Sequence, residues 1–177
     1  MRKALFLLGI LNDGDLDWMI AAGARRDVDP GAILIREGSP VDAIFLVIDG
    51  LLGVRTALTG DTTIASLRSG EIVGEMSFVD SKPPSASVLA LEPSIVLAIP
   101  RTALAAKLES DVPFAARFYR ALAVFLSDRL RSTVSQLGYG KGVEQRQPDD
   151  EVDPDTLDNV SLAGARFDWL QKRLKEI

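Results

Sequence analysis

The chain contains neither cysteine nor histidine in its 177 residues. The first absence excludes disulfides, thiolate nucleophiles and zinc sites built on cysteine. The second removes the imidazole as general base or metal ligand. No nucleophile–base pair of the common kinds is left and no carboxylate pair stands out, so an enzyme is not expected. Positive charge is also short. Twenty Lys and Arg stand against 25 Asp and Glu, for a formal net charge of −5, and no basic patch is evident. Such a chain repels phosphate backbones, which argues against binding nucleic acid by bulk electrostatics. No apolar run is long enough to span a bilayer, so no membrane partner is expected. Met1-Arg2-Lys3 and the apolar run to Leu11 faintly resemble a signal start. Asp13, Asp15 and Asp17 follow instead of small residues at a cleavage site, so the run reads as a core-packing arm of a cytoplasmic protein.

What is present is apolar and evenly punctuated. Hydrophobic residues make up 47% of a chain long enough for one domain and an appendage. Residues 11–23 read as a short helix, with Asn12 or Asp13 as cap and Gly23 as stop. Leu16, Met19 and Ile20 share its face, and Trp18 reads as a core contact. From Asp27 to Ile99 short apolar runs alternate with turns: Asp29-Pro30-Gly31, Glu37-Gly38-Ser39-Pro40, Asp49-Gly50, Thr59-Gly60-Asp61-Thr62, Ser69-Gly70 and Glu92-Pro93-Ser94. Residues 44–48 form a run apolar enough for a strand buried on both faces. This spacing predicts a mainly β fold, a jelly-roll-type barrel.

Pro100 ends the sheet, and a helical turn follows over 101–108 with Leu104 and Leu108 on one face. Asp111 caps a long helix over about 112–137, with Pro113 in its first turn. At 1.5 Å per residue it runs to roughly 37 Å, longer than a small barrel needs. Two readings stand: one face packs on the barrel throughout, or the C-terminal half forms a seam with a second copy in a homodimer. An acidic linker is expected over 138–160, with the aspartates and glutamate at 149, 150, 151, 153, 155 and 158 solvated and not holding calcium. Residues 161–177 then form an amphipathic tail helix with Ala163, Phe167, Leu170, Leu174 and Ile177 as its stripe. It docks either on its own chain or on another protein.

The chain is organised around residues 70–88, a short helical turn between strands followed by Pro83-Pro84. Gly74 permits a tight backbone, Glu75 opens the turn, and the amides of Met76, Ser77 and Phe78 face outward, as at an anion-binding helix start. With the glycine-ended strand 42–50, the last strand 95–101 and the long helix, this stretch resembles the phosphate-binding cassette of the cyclic-nucleotide-binding domain family, over roughly residues 5–137. The resemblance implies a non-catalytic regulatory sensor and a cyclic nucleotide, cyclic AMP or a related one, as ligand. It implies a site at Gly74, Glu75, Met76, Ser77, Ser85, Ala86 and Ser87, with Glu75 accepting from the ribose hydroxyl. Glu75 is equally readable as a carboxylate that merely stabilises the turn.

The family's cassette arginine stands directly after a proline. Here that position is Pro84, which has no charge and no amide. Its loss costs about 2–4 kcal/mol of phosphate binding. Ser85 and Ser87 can donate hydroxyls in compensation, and Arg36, Arg55 or Arg68 could reach in from another strand. The alternative is a nucleotide-free domain serving as a dimerisation or protein-interaction scaffold. A helix-turn-helix regulator is not expected, because only the linker and one helix follow the long helix.

Overall fold

Apolar runs of period two fill the middle of the chain and runs of period near 3.6 flank it, so strands are enclosed by helices. The structure, a computed structural model, describes residues 8–136 and 154–175. Its elements are α1 (Asp13–Ala22), β1 (Ala24–Val28), β2 (Ile33–Ile35), β3 (Ala43–Asp49), β4 (Leu51–Arg55), β5 (Ala65–Arg68), β6 (Ile72–Val73), α2 (Glu75–Asp80), β7 (Ser87–Ala90), β8 (Ser94–Pro100), α3 (Arg101–Ser110), α4 (Val112–Gln136) and α5 (Pro154–Lys175). The strands form two four-stranded antiparallel sheets, in orders β1-β8-β3-β6 and β2-β7-β4-β5. They face each other as the jelly roll expected from the sequence, without closing into one ring of hydrogen bonds.

β3 shows why the first sheet is buried on both sides. Ala43, Phe45 and Val47 point into the core shared with the second sheet, beside Val96 and Ala98 of β8. Ile44, Leu46 and Ile48 point the other way, beside Leu97 and Ile99, into a core shared with the helices. The register Ile44↔Ile99, Phe45↔Ala98, Leu46↔Leu97 keeps the two faces matched. Phe114, Phe118, Ala121, Leu122 and Phe125 of α4 fill the helical core with Leu104 and Leu108 of α3 and Leu16 and Met19 of α1. Trp18 packs edge-on against Phe114, with centroids 5.3 Å apart. Asn12 caps α1 in a capping box with Asp15, and Asp111 caps α4 through Phe114 N at 2.9 Å.

Two elements differ from the sequence expectation. β1, with Arg25, Arg26 and Asp27, is an edge strand whose charges conceal its extended backbone. α5 begins at Pro154, inside the stretch read as linker. Proline fits the first helical turn. The remainder of the expected linker, with Leu137, Ile177 and the first seven residues, lies outside the described residues.

α5 docks on its own chain. Ala163, Leu170 and Leu174 are buried, with Phe167 packed alongside. Gln171 donates to Ile48 O at 2.6 Å, and Arg25 donates to Leu174 O at 2.8 Å. Arg166 donates to Leu8 O and Leu11 O at 3.0 and 2.7 Å, and Lys175 pairs with Asp49 at 2.8 Å. The cis alternative left open by the sequence is the one this structure takes.

Candidate functional site

α2 stands between β6 and β7 because the backbone is turned sharply at both of its ends. Gly74 caps it with φ +89°, and a Cβ there would sit 3.1 Å from Ala43 O. Both facts require glycine. Ser81 closes the turn at φ 58°, the one non-glycine residue with positive φ among the described residues. Arg101, at the start of α3, holds the back of α2 by donating to Ser77 O at 2.9 Å and Val41 O at 3.2 Å, with its guanidinium over the Phe78 ring. The next segment is fixed across the sheet, where Gly38 N–H donates to Pro84 O at 2.9 Å and Glu37 N–H to Ser87 Oγ at 2.9 Å.

These parts enclose a cavity of about 570 Å³. Ile35, Val54, Leu67, Val73 and Val88 form its apolar wall. That size and lining suit a small organic ligand. Gly74, Glu75, Met76, Ser77, Ser85 and Ala86 all line it, together with Pro84. Ser87 does not, since its hydroxyl is turned to Glu37 N. The amide of Phe78, expected to face outward, instead donates to Gly74 O within the helix. Arg36, Arg55 and Arg68 stay out of the cavity, and Arg55 lies towards Thr63 and Asp61.

Lys82 lines the cavity from the segment after α2, and a second cation, Arg129, reaches it from α4. Its Nη1 donates to Glu75 Oε1, its Nη2 donates to Ile72 O at 3.2 Å, and the guanidinium lies 4.7 Å from the centroid of the Phe125 ring. Thr133, one turn further on, also lines the cavity. Phe125, Arg129 and Thr133 are spaced by four and so share one helix face. That spacing marks a common face in the sequence, but periodicity alone does not say that the face meets the cavity.

Glu75 is 1% exposed. Burial pushes its carboxyl above the ordinary carboxylate range. The Arg129 charge and the amides of Glu75 and Met76 pull it back, Glu71 pushes it further, and the net direction stays upward. A buried carboxylate tied to a helix that arrives 54 residues later couples the cassette to α4.

The architecture also has relatives. The model of the cyclic nucleotide-binding domain family matches residues 25–111. The Cyclic AMP receptor protein of Thermus thermophilus is 33% identical over 125 residues, covering 70% of this chain and 56% of the receptor. Residues 25–111 belong to the cyclic nucleotide-binding domain family. A cyclic nucleotide-binding domain from Methylobacillus flagellatus superposes with a TM-score of 0.68 at 23% identity, covering 76% of this chain and 80% of that one, a likeness of fold. Acetyltransferase Pat of Mycolicibacterium smegmatis is 34% identical over 68 residues, 38% of this chain. The chain spans only 20% of that acetyltransferase and 56% of the receptor. Among the described residues no cluster able to hold a metal ion is present, and no helix is long and apolar enough to cross a membrane. Of the site residues expected from the sequence, 74–77 and 85–86 line this cavity, beside Arg129 and Thr133 of α4, which the sequence reading did not include.

Proposed function

We propose that the chain is a non-catalytic regulatory sensor module that takes a cyclic nucleotide, cyclic AMP or a related one, weakly or in a non-standard manner. The observation that carries this reading is the cavity of about 570 Å³, whose wall is shared between the α2 cassette and α4. A ligand there touches Glu75 and the helix that Glu75 holds, so occupancy is transmitted to α4. Cyclic AMP is suggested by the name of the Thermus thermophilus relative. Weak or altered binding follows from Pro84, which lines the cavity where the family resemblance calls for the phosphate-binding arginine. The chain is read as cytoplasmic. Calorimetry with cyclic AMP, cyclic GMP and cyclic di-GMP tests the proposal, and no heat at millimolar ligand sinks it. Pro84→Arg preserves the carbonyl that accepts from Gly38 and restores a bidentate donor. It is expected to raise cyclic AMP affinity about ten- to a hundredfold, 1.4 kcal/mol per tenfold.

A second reading, a nucleotide-free dimerisation scaffold, is favoured by the outer face of α4. Tyr119, Leu130 and Val134 are 50%, 65% and 43% exposed, with Ala123 and Leu126 between them at three- and four-residue steps. This is the stripe of a helix seam with a second copy. Leu126 also packs against the helical core, so Leu130→Glu is the cleaner probe. A halved mass in solution supports the seam, and an unchanged mass removes it.

A further inference from the structure

α1 carries its aspartates on two sides. Asp13 and Asp17 are four residues apart and share a face, while Asp15, two residues from each, stands on the other. The two sides meet different helices. Arg166 of α5 donates to Asp13 at 2.6 Å, and Arg173 of α5 lies 3.9 Å from Asp17. Asp15 is buried and holds Arg117 of α4 on both of its oxygens, at 2.7 and 2.8 Å. α1 is thus fastened to α4 on one side and to α5 on the other.

The connection is closer than a pair of salt bridges. Asp15 Oδ2 accepts from Arg117 Nε and also from Asn12 N–H at 2.9 Å. The carbonyl of that same peptide unit, Leu11 O, accepts from Arg166 Nη1 at 2.7 Å. A peptide unit is planar and rigid, so its N–H cannot turn without its C=O. One peptide therefore stands between the arginine of α4 and the arginine of α5. Hydrogen bonds arranged in such a series polarise one another. Arg166 is 14% exposed, so water replaces its bonds poorly once they are broken. The other half of α5 is tied to strands, through Gln171 to Ile48 O, Arg25 to Leu174 O and Lys175 to Asp49.

We infer that α5 is a strap whose seating is governed by α4, with the Leu11–Asn12 peptide as the joint between the two helices. A displacement of α4 that draws Arg117 off Asp15 frees Asn12 N–H and turns Leu11 O away from Arg166. α5 then lifts at the turns around Arg166 and uncovers Leu8 and Leu11, while the strands keep its C-terminal turns. All of these contacts lie outside the cavity. The inference rests on the sensor reading for one point, that a ligand is what displaces α4. Coupling of this kind is reciprocal, so a seated α5 also bears on the ligand's affinity.

The test is amide hydrogen exchange on the full chain. Arg117 makes no contact with α5 among the described bonds. Even so, Arg117→Gln is expected to speed exchange over residues 162–168 about tenfold, the factor that one lost charge-assisted hydrogen bond makes in an opening equilibrium. Residues 171–175 and strands β3 and β8 are expected to keep their protection. Asp15→Asn combined with Arg117→Gln leaves no unpaired buried charge, so it gives the same readout if Arg117→Gln alone loosens the strands. Arg166→Gln is expected to free the same turns, and adding Arg117→Gln to it is expected to change nothing further. Unchanged exchange over 162–168 in both Arg117 variants overturns the inference. So do effects of Arg117→Gln and Arg166→Gln that multiply, since the influence of Arg117 then travels by another route. Saturating cyclic AMP is expected to speed exchange over 162–168 in the wild-type chain, and heat of binding without that change also overturns it. No heat with any of the three cyclic nucleotides removes the sensor reading and leaves the variants to decide the strap.

Discussion

Gly74 and Glu75 are adjacent but constrained by different physics. Gly74 is required by backbone: φ is +89° and the carbonyl of Ala43 stands 3.1 Å from where a Cβ would be. Gly74→Ala is expected to cost about 1–3 kcal/mol in a denaturant titration. Glu75 is required by charge. Its folded-state carboxyl is raised above its ordinary 4.5, chiefly by burial. The folded chain therefore holds a proton there more readily than the unfolded chain does, and stability from this residue is full below about 4.5 and lost as pH rises through the raised value. Glu75→Gln removes the titration. The difference in stability between variant and wild type, followed by urea unfolding from pH 4 to 8, is expected to shift in the variant's favour as pH rises. A flat difference would show that Glu75 titrates normally. At this scale Gly74 and Glu75 were legible because an ordered series of glycines, with the cassette and the long helix after it, carries the family resemblance, whereas a Gly-Glu pair alone does not. Arg129 was not, because its partner lies 54 residues away and helical periodicity marks it merely as a polar position.

Among the elements, α4 is fastened at two points of opposite character. Near its N-terminus Arg117 donates to both oxygens of Asp15 at 2.7 and 2.8 Å, joining α4 to α1. Burial alone would raise the Asp15 carboxyl, but hydrogen bonds from Arg117 and the Asn12 amide and the charge of Arg117 bring it below its ordinary value. That stability is present above pH 3.8 and lost as pH falls through the lowered value. Arg117→Ala leaves the Asp15 carboxylate buried without its cation and is expected to destabilise the fold by about 2 kcal/mol at neutral pH, read from chemical denaturation. The second fastening, Arg129 to Glu75, borders the cavity. The strands of period two and the capped helices were readable from sequence because each local signal agrees with the tertiary fold. β1 was not readable, since an edge strand carrying Arg25, Arg26 and Asp27 has no apolar alternation to show.

At the scale of the whole molecule, the sheet β1-β8-β3-β6 is covered on its outer face by helices from both sides of the sequence. The amphipathic stripe of α5 could be read in advance, but its receiving surface could not, because that surface is assembled from Leu8, Leu11, Ile48 and neighbours far apart in sequence. Leu170 is fully buried in that contact. Leu170→Asp is expected to detach α5, so that its amides lose protection from hydrogen exchange while those of β3 and β8 keep theirs. Retained protection in α5 would show that its polar contacts suffice.

The carbonyls of Leu8 and Leu11 meet Arg166 across 158 and 155 residues. During synthesis the segment carrying Leu8 and Leu11 therefore leaves the ribosome long before the arginine that will satisfy it. Native pairings at such separations form slowly. Until α5 has emerged, the nascent chain presents Ile48, Leu8 and Leu11 uncovered, so the emergence of α5 closes an interval in which this apolar surface is open to a chaperone.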